Sequence, residues 1–372
     1  MMPLSIYIHI PFCVTKCGYC DFLSFCGRLE AHEPYAEAII ADIAACAKDF
    51  TGHEVVTVFF GGGTPTVLAA GQLGRILGTI MDNYTLADDA SITTEANPDT
   101  IDDAYLTVLR HAGFNRISFG VQSFNDDLLA KIGRIHNAEK AVRAVHLAAR
   151  AGFDDINIDL MFALPHQSIS DFEQSVDVAV KLPVTHISCY ALSAEDGTPL
   201  ATNKDLLRAM PDDTADRAMY HLAAQKLSAH GFEHYEISNW GRPGRHCNHN
   251  IGYWTRREYI GFGLGAHSLV QDRRFCRTTN LEDYIKGNFF PIHLEDITHQ
   301  AAMAEFVILG LRLVRGIDVN NFRQCFGQNI EHVFGHQLEK FVKNGLLAID
   351  SPNIKLTKHG RDLSNAVFAD FI

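Results

Sequence analysis

Six short runs rich in β-branched residues alternate with segments that have the length and periodicity of amphipathic helices. This alternation is typical of βα units, because neighbouring parallel strands need a crossover of helical length between them. Six such units predict an α/β fold, either a βα barrel or an open arc of one. The predicted strands are 5–10, 55–60, 90–95, 116–120, 155–161 and 186–191, and the predicted helices are 34–48, 71–83, 102–112, 138–151 and 171–181.

Unusual polar and glycine-rich groups follow five successive predicted strands. Each group alone has an ordinary structural explanation, since a glycine run is often a turn and an Asp after a strand often caps a helix. In βα barrels, however, functional groups converge on the rim formed by the carboxyl ends of the strands. The coincidence therefore predicts a functional site at this rim. The groups are the cysteine loop after the first strand and residues 61–65, 95–98, 120–124 and 159–161.

The loop after the first strand carries Cys13, Cys17 and Cys20 in a C-x3-C-x2-C arrangement. Thiolate is the soft donor that iron–sulfur clusters prefer, and a cubic cluster usually takes four such ligands. Three cysteines within eight residues would hold three corners of a cube and leave one iron open. An open metal position is where a substrate or cofactor binds.

Two other interpretations of the cysteine triplet remain open from the residues alone. One is a zinc site with His9 or Cys26 as the fourth ligand, although no second zinc knuckle follows in the sequence. The other is a disulfide, which requires an oxidising compartment that nothing in the chain indicates. The triplet favours a cluster over both.

The composition of the 372 residues is that of a globular protein, with 47% hydrophobic and 20% charged residues. Nine cysteines, most of them single, favour a reducing cytoplasm. We expect no signal peptide, since the N-terminus lacks a cationic region, and no membrane span, since no apolar run reaches about 18 residues. The formal net charge of −12 disfavours binding to nucleic acid and to anionic membrane surfaces.

From about residue 301 the pattern changes to three helices, a tight hairpin and a final helix. Asp318 and Thr357 are predicted helix N-caps, and Gly345 is predicted to end the third helix. The turn at 351–353 resembles the wing of a winged-helix module. Residues 300–372 carry eight Lys/Arg against seven Asp/Glu, so a packing or partner role is favoured over DNA binding.

The motifs taken together resemble the radical S-adenosylmethionine (SAM) superfamily. Its members place C-x3-C-x2-C on the first βα loop of a partial TIM-type barrel of six βα units, and a Gly-Gly-Gly-Thr-Pro sequence follows, here at 61–65. Residues 7–13, 95–98, 120–124 and 133–134 are similar to the branch that contains the coproporphyrinogen dehydrogenase HemN. The resemblance extends to the C-terminal module. It implies a core barrel at 1–232, a barrel-completing segment at 233–299 and a small winged-helix-like α+β domain at 300–372.

The resemblance implies two cofactors. A [4Fe-4S] cluster would be held by Cys13, Cys17 and Cys20, and SAM would chelate the open iron through its amino and carboxylate groups. An electron passed through the cluster would release a deoxyadenosyl radical in members that cleave SAM. The positions implied for the SAM pocket are Tyr7, Tyr19, Gly62, Gly63, Thr64, Glu95, Gln122, Arg134 and Asp159.

Three features separate the chain from the dehydrogenase and resemble the HemW subfamily of haem chaperones. Phe22 stands where the dehydrogenase has a further cysteine, and the first strand begins at residue 5 without a long N-terminal arm. Residues 249–254 fit the H-N-x-x-Y-W motif associated with haem binding in that subfamily. This implies a haem site formed by His249, Asn250, Tyr253 and Trp254. Tyr253, Cys247 and His246 compete with His249 as iron ligands.

The function implied is that of a cytoplasmic haem chaperone, which binds haem and transfers it to acceptor proteins. Its partners would be haem, the acceptor proteins and, if SAM is cleaved, an electron donor. It would contact membrane-bound haem proteins transiently and would not bind nucleic acid. Two enzymatic alternatives remain: oxygen-independent coproporphyrinogen III dehydrogenase and anaerobic modification of haem. The retained SAM-pocket positions favour these enzymes, whereas Phe22 and the 249–254 motif favour the chaperone.

Overall fold

The computed structural model describes residues 1–372 and contains one large curved sheet. Its twelve strands are β1 (Met2–Ile10), β2 (His53–Gly62), β3 (Leu86–Ala96), β4 (Arg116–Gln122), β5 (Asp155–Phe162), β6 (His186–Ala191), β7 (Glu233–Glu236), β8 (Asn239–Gly241), β9 (Tyr259–Phe262), β10 (His267–Val270), β11 (Arg273–Cys276) and β12 (Ile292–Asp296). Their order is β12-β11-β10-β9-β1-β2-β3-β4-β5-β6-β8-β7. Strands β1 to β6 are parallel neighbours, which confirms the predicted arc of six βα units.

Strand β9 extends the parallel arc on the other side of β1, and β10 to β12 continue from it as an antiparallel meander. These strands were not among those predicted. Most have only four residues, too few to show a clear alternation of apolar and polar positions.

Most helices between the barrel strands pack against the outer face of the sheet, and further helices form the C-terminal region. The first eleven are α1 (His32–Cys46), α2 (Ala70–Asn83), α3 (Asp103–Ala112), α4 (Asp126–Lys131), α5 (Ala138–Arg150), α6 (Ile169–Ala179), α7 (Pro199–Thr202), α8 (Lys204–Arg208), α9 (Asp213–Ala229), α10 (Asn248–Trp254) and α11 (Leu281–Ile285). The five helices predicted between strands are confirmed as α1, α2, α3, α5 and α6, with ends within a few residues. None of the helices in the protein combines the length and apolar character needed to cross a bilayer.

The two faces of the barrel strands differ in polarity. In β1, Leu4, Ile6 and Ile8 are fully buried in the core between sheet and helices. Ser5 and Tyr7 alternate with them and face the inside of the arc, because successive strand residues point to opposite faces. The inside of the arc is consequently polar, and this is where the candidate site lies.

The C-terminal region has the predicted three helices and hairpin, but two short helices follow the hairpin where one was predicted. Its elements are α12 (His299–Gly310), β13 (Ile317–Asp318), α13 (Val319–Phe326), α14 (Ile330–Lys343), β14 (Leu347–Asp350), β15 (Asn353–Leu356), α15 (Lys358–Asp362) and α16 (Ser364–Ala369). Asp318 and Thr357 cap α13 and α15 through their side chains, and Gly345 adopts a left-handed conformation after α14, as predicted. These elements bury a hydrophobic core of their own.

Candidate functional site

The three cysteines and most of the predicted SAM-pocket residues surround one cavity at the carboxyl rim of the strands. This rim cavity has a volume of about 310 Å³. The predicted residues that line it are Cys13, Cys17, Cys20, Tyr19, Gly62, Gly63, Thr64, Glu95, Gln122, Arg134 and Asp159. Tyr7 is the exception, since it lines a separate cavity deeper in the barrel and shares a hydrogen bond of 3.0 Å with His9 Nδ1. The converging strand ends thus bring together residues that are far apart in the sequence. Cys13 and Asp159, for example, are 146 positions apart.

Backbone contacts hold the cysteine loop at the rim. Phe12–Cys13 pairs with Phe25–Cys26 in a two-residue parallel ladder, which closes the loop at its base. At its tip, the Gly18 amide donates to the carbonyl of Ile132 at 3.2 Å, and the Gly18 carbonyl accepts from the Leu200 amide at 2.8 Å. The loop is therefore anchored to the segment after α4 and to the first turn of α7.

The donor set at the rim fits a cluster better than a single zinc ion. The three thiols are half-buried and free, and Thr64 Oγ1 and Arg134 Nη1 lie 3.7 Å and 3.4 Å from the sulfurs of Cys13 and Cys17. No three His, Cys, Asp or Glu side chains in the protein converge closely enough to hold one metal ion. Thiolates that bind separate irons of a cube stand farther apart than the ligands of one ion, so the three thiols remain suited to a cube.

His9 and Cys26, the two residues considered as a fourth zinc ligand, differ in whether they are free to bind a metal ion. Both ring nitrogens of His9 are engaged, one by the Tyr7 hydroxyl and one by the carbonyl of Leu23 at 3.1 Å. Cys26 is exposed and lies opposite Cys13 in the short ladder. His9 is therefore unavailable in this structure, and Cys26 is the remaining thiol near the triplet.

Gly62 and Gly63 allow the end of β2 to pack directly against the cysteine loop. A Cβ atom on Gly63 would lie 2.6 Å from the carbonyl oxygen of Phe12, the residue before Cys13. Gly62 has φ of +110°, and a Cβ there would lie 2.5 Å from the ring of His9. Neither approach is possible for a residue with a side chain. The glycines therefore position the cysteine loop, in addition to the contact with SAM that the sequence resemblance implies.

Glu95 and Asp159 place two carboxyl groups between the rim cavity and the interior of the barrel. Burial raises the pKa of Glu95 to about 8, and the neighbouring charge of Asp159 acts in the same direction, while a hydrogen bond of 3.2 Å from the Gly62 amide opposes it. Burial also raises the pKa of Asp159, although Asn157 Nδ2 donates to it at 2.8 Å. Both groups can accept hydrogen bonds from a ligand's amine or hydroxyl.

Glu95→Gln is expected to change how stability depends on pH in SAM-free protein. The native carboxyl keeps its proton up to a pKa of about 8, whereas the carboxyl of an unfolded chain ionises near its ordinary value of 4.5. Rising pH therefore favours the unfolded state between these two values, and glutamine removes this effect because it never ionises. The thermal midpoint of the variant minus that of the unaltered protein should increase between about pH 4.5 and pH 8 and then level off. A difference that is constant across this range would contradict the raised pKa.

Gln122 and Arg134 line the rim cavity beside these carboxyl groups, since Gln122 ends β4, the strand between β3 and β5. Gln122 is buried with φ of +68°, which turns its side chain at the end of β4, and its Oε1 accepts from the Tyr190 hydroxyl at 3.2 Å. The Arg134 guanidinium donates to the carbonyl of Gly120 as well as to Cys17. Tyr190 is a cavity residue that the sequence analysis missed. Its position near the end of the predicted strand 186–191 could have identified it as a residue of the rim.

The motif at 249–254 does not form one site in this structure. His249, Asn250 and Tyr253 line an inner cavity of about 180 Å³ inside the barrel, which shares Glu95, Ser118 and Asp159 with the rim cavity. Trp254 points elsewhere. Its ring lies under the guanidinium of Arg312, 4.2 Å from the ring centre, and α10 there packs against α12.

His249 is enclosed on all sides. Only 2% of its surface is exposed, Nδ1 lies 2.9 Å from Thr57 Oγ1, and Nε2 lies 3.0 Å from the Tyr253 hydroxyl. Burial, assisted by the charges of Arg257 and Arg116, lowers the pKa of the imidazole to about 3, so the ring is neutral at physiological pH. Both nitrogens are occupied, and an iron atom has no access to either in this conformation.

Comparison with known proteins places these features in a family. A radical SAM superfamily model matches residues 7–179, and a HemN C-terminal domain model matches residues 297–363. The chain is 34% identical to "Heme chaperone HemW" of Bacillus subtilis, over 99% of both chains, and 35% identical to the protein of that name from Escherichia coli, over 100% of this chain and 98% of the relative.

A solved structure gives the same result for the fold. The protein described as coproporphyrinogen III oxidase (HemN) from Escherichia coli, a radical SAM enzyme, superposes with a TM-score of 0.87 at 25% identity. The match covers 100% of this chain and 90% of that one. The chain is more than 30% identical to these relatives along its full length, and both domain models match it, so the two comparisons support the same assignment. This chain belongs to the HemW family, in the HemN branch of the radical SAM superfamily.

Proposed function

We propose that this chain is a haem chaperone, which binds haem and transfers it to acceptor proteins. The observation that carries the proposal is similarity along the whole chain to several relatives that bear this name, at 34–35% identity in Bacillus subtilis, Mycobacterium tuberculosis and Escherichia coli. Phe22 also supports the proposal, because it stands where the dehydrogenase has a further cysteine and its side chain cannot bind iron. Phe22 is 60% exposed and lines the rim cavity.

We further infer that the three loop cysteines hold a [4Fe-4S] cluster and that SAM binds exchangeably beside it. When bound, the cluster offers SAM an open iron and a path for one electron to its sulfonium. Glu95 and Asp159 accept hydrogen bonds from the donors of SAM, and Arg134 offers a planar guanidinium to its carboxylate. Gly62 and Gly63 leave room for close approach of the ligand. An electron donor becomes a partner only if SAM is cleaved.

A second candidate function is oxidative decarboxylation of coproporphyrinogen III. It is favoured by the rim cavity, in which nearly every residue expected to contact SAM faces one space. A protein that only carries haem has no evident need for so complete a pocket. The structural similarity to HemN along the whole chain also supports this function.

The two functions differ in what happens to a porphyrinogen. The protein would be reconstituted with iron and sulfide without oxygen and supplied with SAM and a reductant. Parallel assays would then measure haem binding by absorption, haem transfer to an apo-haemoprotein, and consumption of coproporphyrinogen III. Retention and transfer of one haem per chain without loss of porphyrinogen supports the chaperone. Sustained conversion to protoporphyrinogen would replace it with the enzyme.

Binding of haem iron by His249 remains a prediction, and the structure defines what it requires. The imidazole would have to release both Thr57 and Tyr253, and α10 would have to leave the inside of the barrel. The inner cavity is also small, since pockets that take ligands of this size usually measure about 300–1,000 Å³.

A further inference from the structure

The inner cavity contains one buried cationic side chain, that of Arg116 at the start of β4. Arg116 and Ser118 face the inside of the barrel together, because alternate residues of a strand point to the same side of the sheet. Only 2% of the surface of Arg116 is exposed, and no other lysine or arginine lines this cavity. A ligand that enters the inner cavity therefore meets a single fixed positive charge.

The protein itself pairs Arg116 incompletely. Its ion pair is with Asp155, the residue opposite it on β5, and the distance from Nε to Oδ2 is 3.5 Å. The buried Nε–H group has no hydrogen-bond acceptor. A guanidinium offers five N–H donors in a planar fork, and buried donors of a charged group that stay unpaired cost free energy. A carboxylate supplied by a ligand would remove part of this cost.

The neighbouring polar side chains are already paired with one another. Asn157 Nδ2 donates to Ser118 Oγ at 2.7 Å and to Asp159 Oδ1 at 2.8 Å, and Asn157 Oδ1 lies 2.6 Å from Nδ1 of His186. These residues face inward from three neighbouring strands, β4, β5 and β6. The network satisfies its own members and leaves Arg116 out.

The ionisation states around Arg116 leave room for a further negative charge. Burial raises the pKa of Glu95 to about 8, and the charge of Asp159 adds to this effect, so most of the Glu95 carboxyl keeps its proton at pH 7. Burial lowers the pKa of His186 well below its ordinary value, so this ring is neutral. Asp159 is the remaining acid of the inner cavity, and it already accepts a hydrogen bond from Asn157.

The helix α10 forms one wall of the inner cavity through His249, Asn250 and Tyr253. Burial lowers the pKa of the His249 imidazole, and the charges of Arg257 and Arg116 add to this effect, so Arg116 lies close to the helix. A volume of about 180 Å³ is too small for a tetrapyrrole ring but suits a short side group that ends in a carboxylate. Haem carries two such groups, its propionates.

We propose that Arg116 binds a propionate carboxylate of haem inside the barrel and so positions a haem bound at α10. This rests on the proposed chaperone function. The guanidinium would donate two hydrogen bonds to the carboxylate, and burial strengthens such a pair. Binding of iron by His249 is compatible with this site, because movement of α10 would open the same cavity. A tetrapyrrole without free carboxylates would lose this anchor.

The experiment compares ferric haem with its dimethyl ester, in which both propionates are uncharged while the ring and the iron are unchanged. Each is titrated into the reconstituted protein and followed by absorption. The unaltered protein should bind haem at least about tenfold more tightly than the ester. This comparison needs no substitution, so a folding defect cannot obscure it. Equal affinities would overturn the proposal.

Two substitutions separate carboxylate binding from a purely structural role of Arg116. Arg116→Gln should bring the affinities for haem and for the ester within about twofold of each other. Arg116→Lys should restore part of the preference, because the charge remains but the planar fork is lost. An arginine that only supports the fold would, when replaced, weaken both ligands equally and leave the preference for haem intact. That result would exclude the carboxylate site.

Arg277→Gln is the matched control for these variants. Arg277 is 3% exposed and pairs with Asp42 at 2.8 Å outside the barrel, so this substitution also removes a buried, ion-paired guanidinium. It should keep the preference for haem of at least about tenfold. Loss of the preference in this control as well would mean that the effect does not come from the inner cavity, and the proposal would fall.

The SAM affinity of Arg116→Gln distinguishes a haem anchor from a cofactor contact. Arg116 does not line the rim cavity, so equilibrium dialysis should give a SAM affinity within about twofold of that of the unaltered protein. A loss as large as that for haem would assign the cation to SAM and overturn the proposal.

Failure of this site and failure of the proposed function give different results. If the unaltered protein binds and transfers haem without preferring it to the ester, the Arg116 site is excluded and the chaperone function stands. If it binds haem with the expected preference but delivers none to an apo-haemoprotein, the site stands and the chaperone function falls. If it binds no haem at all, both fall.

Discussion

Cys17→Ala is expected to reduce bound iron from about four atoms per chain to less than one after anaerobic reconstitution. Cys17 is one of three thiols that face the rim cavity, and two thiolates cannot hold a cube at three corners. The visible absorption of the cluster should disappear with the iron. Iron, zinc and sulfide content, measured with the absorption spectrum on the same oxygen-free sample, would test this expectation.

Haem binding should survive the loss of the cluster. The inner cavity that His249 and Tyr253 line contains no residue of the cysteine loop, so Cys17→Ala leaves its walls unchanged. Haem uptake within about twofold of the unaltered protein is the expected result. Joint loss of haem and iron, in a sample whose thermal midpoint is unchanged, would mean that the two sites are one.

Cys26→Ala is the matched control for the cluster prediction. It removes a thiol that lies opposite Cys13 in the short ladder but is exposed and does not line the rim cavity. Iron content should therefore stay near that of the unaltered protein. Iron loss equal to that of Cys17→Ala would make Cys26 a ligand. Stoichiometric zinc without sulfide would favour the zinc interpretation.

The alternation of β-branched runs with segments of helical length was sufficient to predict the barrel arc. Strands β1 to β6 have six or more residues each, and one of the five predicted helices lies between each consecutive pair of them. Because parallel strands end on the same rim, their terminal residues could be gathered into one site before any contact was known. Only Tyr7 of the SAM-pocket set lies elsewhere, since it precedes the end of β1 by three residues.

The placement of the 249–254 motif was harder to predict, because it depends on which face of α10 enters the barrel. His249 and Tyr253 are four residues apart and therefore share a helix face, whereas Trp254 lies about 100° further round. From this helix geometry alone, Trp254 could have been predicted to face away from the site that contains His249 and Tyr253. Nothing in the sequence indicated that Thr57, 192 positions away, would engage one of the two imidazole nitrogens of His249.

A third cavity, of about 730 Å³ and outside the barrel, could not be predicted for a different reason. Its walls come from the end of α1 and from β10 to β12, short elements whose pairing is decided by tertiary contacts rather than by local pattern. Nothing in the sequence distinguishes Asp42 and Cys46 from other residues of a predicted helix. Their partner Arg277 follows more than 230 positions later.

Gly63→Ala is expected to impair the cysteine loop as severely as a ligand substitution does. The added methyl group would lie 2.6 Å from the Phe12 carbonyl oxygen and 3.0 Å from that of Ile10, so backbone must move on one side. The movement would break the hydrogen bonds of 2.8 Å from the amides of Gly63 and Thr64 to these carbonyls. We expect iron retention to fall by more than half, SAM affinity to fall at least about tenfold, and overpacking to cost about 1–3 kcal/mol of stability.

Gly71→Ala provides the control, since a Cβ atom there meets no neighbouring atom and the residue lies at the start of α2. Alanine is favoured over glycine in a helix by up to about 1 kcal/mol, so this variant should be as stable as the unaltered protein or slightly more so. Equilibrium dialysis with SAM and iron analysis on both variants would compare them directly. If Gly63→Ala keeps its iron and its SAM affinity, the end of β2 does not hold the cysteine loop, and the position of Cys13 must be set by the Phe12–Cys13 ladder alone.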